Sequence, residues 1–414
     1  MNDLENHPYY YYYQIGEQKF STKLFALYAK EKSQNKHIIW NFPNWENELS
    51  KIDITKEPQE SLQDLYLQRA IQLRNQYDYL VLYYSGGDDS NQILETFMLN
   101  NIFLDEIVIF IKYDKKVKDE IDNDLKVSMI FPEYYEAERS GIPQAKFYVE
   151  TFSPRTKITI IDNIHSLNHK FWQSFDNNNL KDHLKSCNIG INYRILPRSK
   201  NLNFINPNWE SLLSNKKVGH IFGKEKVRLS YDDKGFFIYM NDVNVIEYID
   251  LAWLISNHNL PNNMELFYTH ANFVKIHVKQ AHEIIKKISK DKISSKNNPV
   301  FLTREIEDMF ADVVYIRKYK RLYTGLKPAD YIKIMIKDKS LSKEDLLNIR
   351  KYEMSEMATK FYLEQDEKDK TSNYYKLTNL VQSSFFPKIN SSNIVDLFLT
   401  TISTKKYYIK EHVS

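Results

Sequence analysis

The chain has 414 residues, of which 42% are hydrophobic and 27% charged, and its formal net charge is +3. This composition predicts a folded protein with one large domain plus appendages, or with two domains. It excludes a disordered chain and a nucleic-acid binder steered by bulk charge. A single cysteine, Cys187, excludes an intramolecular disulfide and any multi-cysteine zinc or iron–sulfur site within the chain.

No apolar run approaches the roughly 18 residues needed to span a bilayer. The opening "MNDLENHPYYYYY" lacks the basic-then-apolar layout of a signal peptide, so a cytoplasmic protein without a membrane partner is expected. Abundant Tyr and Phe accompany many Asn, Ile and Lys, as an A/T-rich genome would produce, and carry no functional weight.

In chain order, residues 1–58 read as an N-terminal packing segment in which Ser21 or Thr22 caps a short amphipathic helix, followed by "IIWNFPNW". "QESLQDLYLQRAIQLRNQ" spaces Leu62, Leu65, Ala70 and Leu73 as a helix does. "YDYLVLYY" has the length and apolar character of a strand buried on both faces. After the loop that follows it, "DDSNQILETFMLNN" puts Ile93, Leu94, Phe97 and Met98 on one helical face and ends at Asn100 and Asn101. "DEIVIFIK" is a second strand, "GIPQAKFYVETF" a helix with Pro143 in its first turn, "KITIIDN" a third strand and "HSLNHKFWQSF" a further helix.

This alternation over residues 59–205 predicts an α/β core with an open parallel sheet and flanking helices, whose ligands lie beyond the carboxyl ends of the strands. Past about residue 200 the alternation is expected to stop. "KVGHIFGKEKVRLSYDDKGFFIYMND" reads as a β-hairpin turning at "DDKG", within a 206–295 unit of hairpin and helices that completes the site. Residues 296–414 read as a helical, lysine-rich C-terminal region.

The chemistry concentrates in "YYSGGDDSNQ", residues 83–92. Gly86 and Gly87 allow a tight turn and bring backbone N–H groups close to an anion. The next helix aims its N-terminus at the same place, and Ser85 and Ser90 add hydroxyls. Asp88 and Asp89 repel a bare anion, so at least one needs a cation or a capping role. Mg²⁺ carried by a polyphosphate supplies such a cation. The alternative is a plain strand–helix turn whose Ser and Asp cap the helix. Neither G-x-x-x-x-G-K-[ST] nor G-x-G-x-x-G is present here.

The stretch Ser85-Gly86-Gly87-Asp88-Asp89-Ser90 resembles the PP-loop of the N-type ATP pyrophosphatases, over about residues 60–165. The resemblance implies a HUP-like core and a loop holding the β and γ phosphates of ATP with Mg²⁺, through Asp89. It further implies attack of a substrate oxygen on the α phosphorus with loss of pyrophosphate, then attack of a nitrogen or sulfur nucleophile on the adenylated carbon. The backbone at the end of the second strand, near Ile109, Phe110, Ile111 and Lys112, would contact adenine. "GHIFGKEKVRL" with "PNNMELFYTHANFVKIHVKQAHEIIKKI" is similar to phage-encoded asparagine-synthase-like proteins. There Gly219 and Gly223 bracket a short turn, and Lys224 and Lys226, ahead of Arg228, are candidate catalytic cations for the phosphates. The alternative is a solvated edge strand.

Asp162, after the third strand, is a second candidate metal ligand and equally a helix cap. Arg194, Arg198 and Lys200 form a candidate anion clamp, with plain surface charge favoured. His220, His270, His277 and His282 invite a metal reading. His277 and His282 are five apart and share no i, i+4 face, so packing or solvent exposure is the better account. "YIRKYKRLYTGLK" is the weak support for nucleic-acid contact, against a solvated helix face.

Sulfur-transferring relatives need paired cysteines and deazapurine-forming relatives a four-cysteine zinc site, neither of which fits one cysteine. Glutamine-dependent relatives place a nucleophilic cysteine after the initiator methionine, where this chain has Asn2. The expectation is an ATP-dependent ligase-like enzyme that adenylates a small-molecule carboxylate or a nucleobase carbonyl, with an amine or ammonia supplied separately. The competing expectation is a non-catalytic ATP-binding or nucleic-acid-associated protein that kept the loop.

Overall fold

Residues Tyr79–Tyr83 are almost wholly buried and form the central strand of a parallel sheet. The computed structural model describes residues 8–20, 23–32, 37–110, 135–161, 215–223, 228–242, 264–290, 314–315 and 402–411.

The N-terminal segment is a small antiparallel sheet of β1 (Tyr12–Ile15), β2 (Gln18–Phe20) and β3 (Ile39–Asn41), ordered β2-β1-β3. Tyr9, Tyr11, Tyr13 and Ile15 are buried and alternate with less buried neighbours, the period of a strand with one face on a core. Gly16 turns the hairpin at a φ of 58°. Helices α1 (Lys23–Lys32) and α2 (Pro43–Ser50) complete the segment.

Helix α3 (Leu62–Gln76) begins at Ser61, whose Oγ accepts from the Asp64 amide while the Asp64 carboxylate accepts from the Ser61 amide, a reciprocal cap. Strand β4 (Tyr79–Tyr83), helix α4 (Asp88–Leu99), strand β5 (Glu106–Phe110), a π-helical turn (Tyr135–Gly141), helix α5 (Ile142–Phe152) and strand β6 (Lys157–Ile161) follow. Asn100 closes α4, and Asn101 adopts a φ of 55°.

Past residue 200 the next described elements are successive strands, yet two of them extend the parallel sheet, which corrects the assignment of that region to a hairpin and helices alone. Strand β7 (Val218–Phe222) pairs parallel with β4, and β10 (Met264–Leu266) pairs parallel with β7. The five-stranded order is β10-β7-β4-β5-β6, so β4 has its second-strand partner on one side and its fourth on the other. "VGHIF" is therefore no hairpin arm. Gly219 lies mid-strand, where a Cβ would sit 2.6 Å from the Tyr77 ring and 2.9 Å from Leu80. The hairpin is confined to β8 (Arg228–Asp232) and β9 (Gly235–Tyr239), and β11 (Tyr407–Glu411) adds to β9 in a third, antiparallel sheet.

Apolar side chains cover both faces of the parallel sheet. Leu80, Leu82, Ile107, Ile109 and Ile221 pack with α3, α4 and α5. Val81, Tyr83, Val108, Phe222 and Leu266 pack with the N-terminal segment and α6 (Val274–Lys290). Of the 296–414 region, Val314 and Tyr315 are buried, and residues 402–411 end in strand β11 rather than a helix; the remaining residues expected to be helical lie outside the described residues. Among the described residues no helix is long and apolar enough to cross a membrane.

Candidate functional site

β4 and β7 lie side by side in a sheet whose chain order reverses between them, the point beyond whose carboxyl ends open α/β sheets take their ligands. Ser85-Gly86-Gly87 leaves β4 at that point. The Tyr84 amide still donates to the Val108 carbonyl at 2.9 Å, after which the backbone turns at Gly86, buried with a φ of 84°. An L side chain is strained in that conformation, so glycine is required. Gly87 is the extended N-cap residue of α4 and brings no side-chain cap to the first turn.

The loop is braced internally. Ser85 Oγ accepts from the Gly87 amide at 3.2 Å and lies 3.2 Å from Ser90 Oγ, which in turn donates to the Gly87 carbonyl at 3.1 Å. Ser85 is exposed as a residue and Ser90 buried, while both hydroxyls are turned into the loop. Asp88 and Asp89 occupy the first turn and are half-buried. Two distant tyrosines grip Asp89: the Tyr268 hydroxyl donates to its carbonyl at 2.8 Å, and the Tyr315 hydroxyl donates to Oδ1 at 2.6 Å.

Buried polar bonds behind the loop hold α4. The Tyr84 hydroxyl donates to Asn91 Oδ1 at 3.0 Å, and the Tyr148 hydroxyl donates to the Glu95 carboxylate. Gly223, just past β7, meets Ser90 so closely that a Cβ there would lie 3.0 Å from its amide nitrogen and Cα.

Ile109 is fully buried in the core, and Phe110 ends β5. β5, on the side of β4 away from β7, runs two residues past Val108, its last pair with β4. Ile111, Lys112, Asp162, Lys224, Lys226, Cys187, Arg194, Arg198 and Lys200 lie outside the described residues, as does "YIRKYKRLYTGLK" beyond Tyr315. Arg228 begins β8.

Packing accounts for the histidines. His220 Nδ1 lies 3.1 Å from the Tyr83 hydroxyl, and burial holds its pKa down at about 4. His277 Nδ1 accepts from the Trp45 indole at 3.0 Å, and His282 Nε2 lies 3.0 Å from the Ile54 carbonyl. His270 caps the short turn Ala271–Phe273, with burial, then the Arg69 charge, lowering its pKa to about 4. No His/Cys/Asp/Glu group able to hold a metal ion on its own occurs among the described residues.

Sequence reasoning missed Tyr268, Tyr315, Tyr84 and Asn91, and gave Gly223 a different role. Tyr84 and Asn91, seven apart across the loop, were within reach of a local reading, whereas the two distant tyrosines carry no local signal. Comparison with known proteins finds no matching family model, no significant curated relative and no significant solved structure.

Proposed function

We propose that the chain is an ATP pyrophosphatase of the PP-loop type with a HUP-like core, acting as an AMP-forming, ligase-like enzyme on a carboxylate or carbonyl acceptor. The observation that carries this reading is the left-handed Gly86 and the side-chain-free cap at Gly87, set at the point where the strand order of the parallel sheet reverses. Such a turn admits a polyphosphate without a Cβ in the way, and the α4 N-terminus favours its charge.

The residues present fit Mg²⁺·ATP. Gly86, Gly87 and the first turn of α4 would receive the phosphates, with the Ser85 hydroxyl beside them. The Asp89 carboxylate would take the cation, since magnesium prefers hard oxygen ligands and tolerates one or two protein carboxylates. The backbone at the end of β5 would border the adenine. Lys224 and Lys226 follow Gly223 in sequence and are the candidate cations for the phosphates. ATP supplies an α phosphorus that an acceptor oxygen attacks as pyrophosphate leaves, after which an amine or ammonia displaces AMP.

The test incubates the full chain with Mg²⁺, ATP, ammonia and a panel of carboxylates and nucleobases, and measures AMP and pyrophosphate. Wild type is expected to form both in equal amounts, and Asp89→Asn to lose at least about 100-fold of the rate while keeping its unfolding midpoint. Formation of ADP instead of AMP rejects attack at the α phosphorus. Tight ATP binding with no AMP for any acceptor leaves a nucleotide-binding protein.

A further inference from the structure

Asp89 is held by hydroxyls that arrive from 179 and 226 residues further along the chain. Tyr268 is fully buried and Tyr315 is 6% exposed, so these are built contacts rather than surface touches. Their support is continuous. Gln280 Nε2 donates to the Tyr66 hydroxyl at 2.9 Å, and that hydroxyl donates to the Val314 carbonyl at 3.2 Å, which fixes the residue before Tyr315. The Tyr66 and Tyr268 rings meet edge-on, with centroids 5.6 Å apart. Helices α3 and α6, the segment after β10 and the C-terminal region thus converge on one aspartate in the first turn of α4.

Fold stability alone does not call for this arrangement. An acidic residue in a first turn is already favoured by the helix dipole, and a phenylalanine at 315 would fill the same space without burying a hydroxyl. The hydroxyl does, however, constrain the carboxylate. Aspartates at helix starts readily fold back onto nearby backbone N–H groups, and in α4 those groups are the ones that would receive phosphate. A carboxylate with one oxygen tied to a phenol keeps acceptor capacity for a cation.

We propose that Tyr315 is a positioning residue for Asp89, its hydroxyl fixing the carboxylate in the orientation that takes the Mg²⁺ of Mg²⁺·ATP, so that residues from the C-terminal region complete the nucleotide site. This rests on the ATP reading above. It implies a selective defect: loss of the hydroxyl weakens binding of the magnesium complex and spares binding of the metal-free nucleotide.

The experiment is calorimetric titration of full-length wild type, Tyr315→Phe, Asp89→Asn and the double variant, with ATP in excess Mg²⁺ and with ATP in EDTA. Tyr315→Phe is expected to raise Kd for Mg²⁺·ATP about tenfold, the loss of one charge-assisted hydrogen bond, and to leave Kd in EDTA within about twofold. The double variant should bind no worse than Asp89→Asn. Unchanged Kd values, an equal loss in both titrations, or tighter Mg²⁺·ATP binding in Tyr315→Phe overturns the proposal. Wild type that binds ATP in neither condition overturns the ATP reading, and this inference with it. A measurement that needs no variant is amide exchange in wild type. Mg²⁺·ATP should slow exchange at Val314 and Tyr315 more than ATP in EDTA does, and equal protection overturns the proposal.

Discussion

Gly223 and Ser90 touch backbone to backbone: a Cβ on Gly223 would stand 3.0 Å from the Ser90 nitrogen and Cα, and 3.0 Å from Ile93 Cδ1. The end of β7 therefore seats the first turn of α4, and with it the glycine loop. Gly223→Ala forces that turn to shift by a few tenths of an ångström. Overpacking of this kind costs about 1–3 kcal/mol, so a lower urea midpoint is expected, together with weaker ATP binding in the fraction that remains folded. An unchanged midpoint would show that the turn yields without strain.

The Arg69 guanidinium and Glu265 carboxylate meet at 2.7 Å with side-chain exposures of 0% and 4%. The Tyr77 hydroxyl donates to Oε1 at 2.6 Å and the Tyr9 hydroxyl to Oε2 at 3.2 Å, while Arg69 also donates to the Leu266 and Phe267 carbonyls. Glu265→Ala strands a buried guanidinium, a loss of about 3–5 kcal/mol. Burial pushes the Glu265 carboxyl up, but Arg69 and Tyr77 more than offset it, and its pKa falls below the ordinary value. Its contribution is present above the unfolded value of about 4.3 and is lost as pH falls toward the folded value. Unfolding free energies from pH 5 down to pH 3 should show that loss in wild type and not in Glu265→Gln.

His220 and His270 act in a different pH window. Both have folded pKa values of about 4, lowered by burial, with Arg69 adding to the effect at His270. Unfolded histidine binds its proton near pH 6.5, so the unfolded state gains protons that the folded state refuses until about pH 4. Stability is complete above about pH 6.5 and declines as pH falls, by up to about 1.4 kcal/mol per pH unit for each histidine. Urea midpoints at pH 7.5 and 5.5 should differ accordingly, and His220→Gln should remove part of the slope. A flat profile would place solvent at both rings.

The described helices and strands from Leu62 to Ile161 were legible because short-range periodicity and punctuation suffice there: helical spacing, short apolar runs and a glycine pair after the first run. β7 was misread because "VGHIF" carries a glycine and a histidine, and each is explained only by a distant partner, Gly219 by the Tyr77 ring and His220 by the Tyr83 hydroxyl. β10 was hidden by the charge of Glu265, which belongs in a buried strand only because Arg69, 196 residues earlier, meets it. The N-terminal hairpin left no local trace: its period-two burial of Tyr9, Tyr11, Tyr13 and Ile15 runs through five consecutive tyrosines, which show no alternation in sequence. The glycine loop could be found in sequence, but the residues gripping Asp89 could not, since a hydroxyl 226 residues away leaves no local pattern.

Lys23 and Asp242 form a second deeply buried pair among the described residues, with Nζ and Oδ2 2.9 Å apart at side-chain exposures of 5% and 1%. The Tyr13 hydroxyl donates to the same oxygen at 3.1 Å, and the Ile402 amide donates to Oδ1 at 2.9 Å. One carboxylate thus joins α1, β1, the chain after β9 and the approach to β11. Removing it by Asp242→Ala leaves an ammonium in the core and an amide unmatched, so a loss of about 3–5 kcal/mol is expected. Replacing both partners, Lys23→Met with Asp242→Leu, removes both charges and restores apolar volume. Its cost should therefore fall well below the sum of the two single changes. Urea unfolding of the two single variants and the double measures this directly. Additive losses would mean that Lys23 and Asp242 do not act as a unit, and that the backbone bonds from Trp40 to Ser403 and from Thr404 to Met240 hold the two ends of the chain together without them.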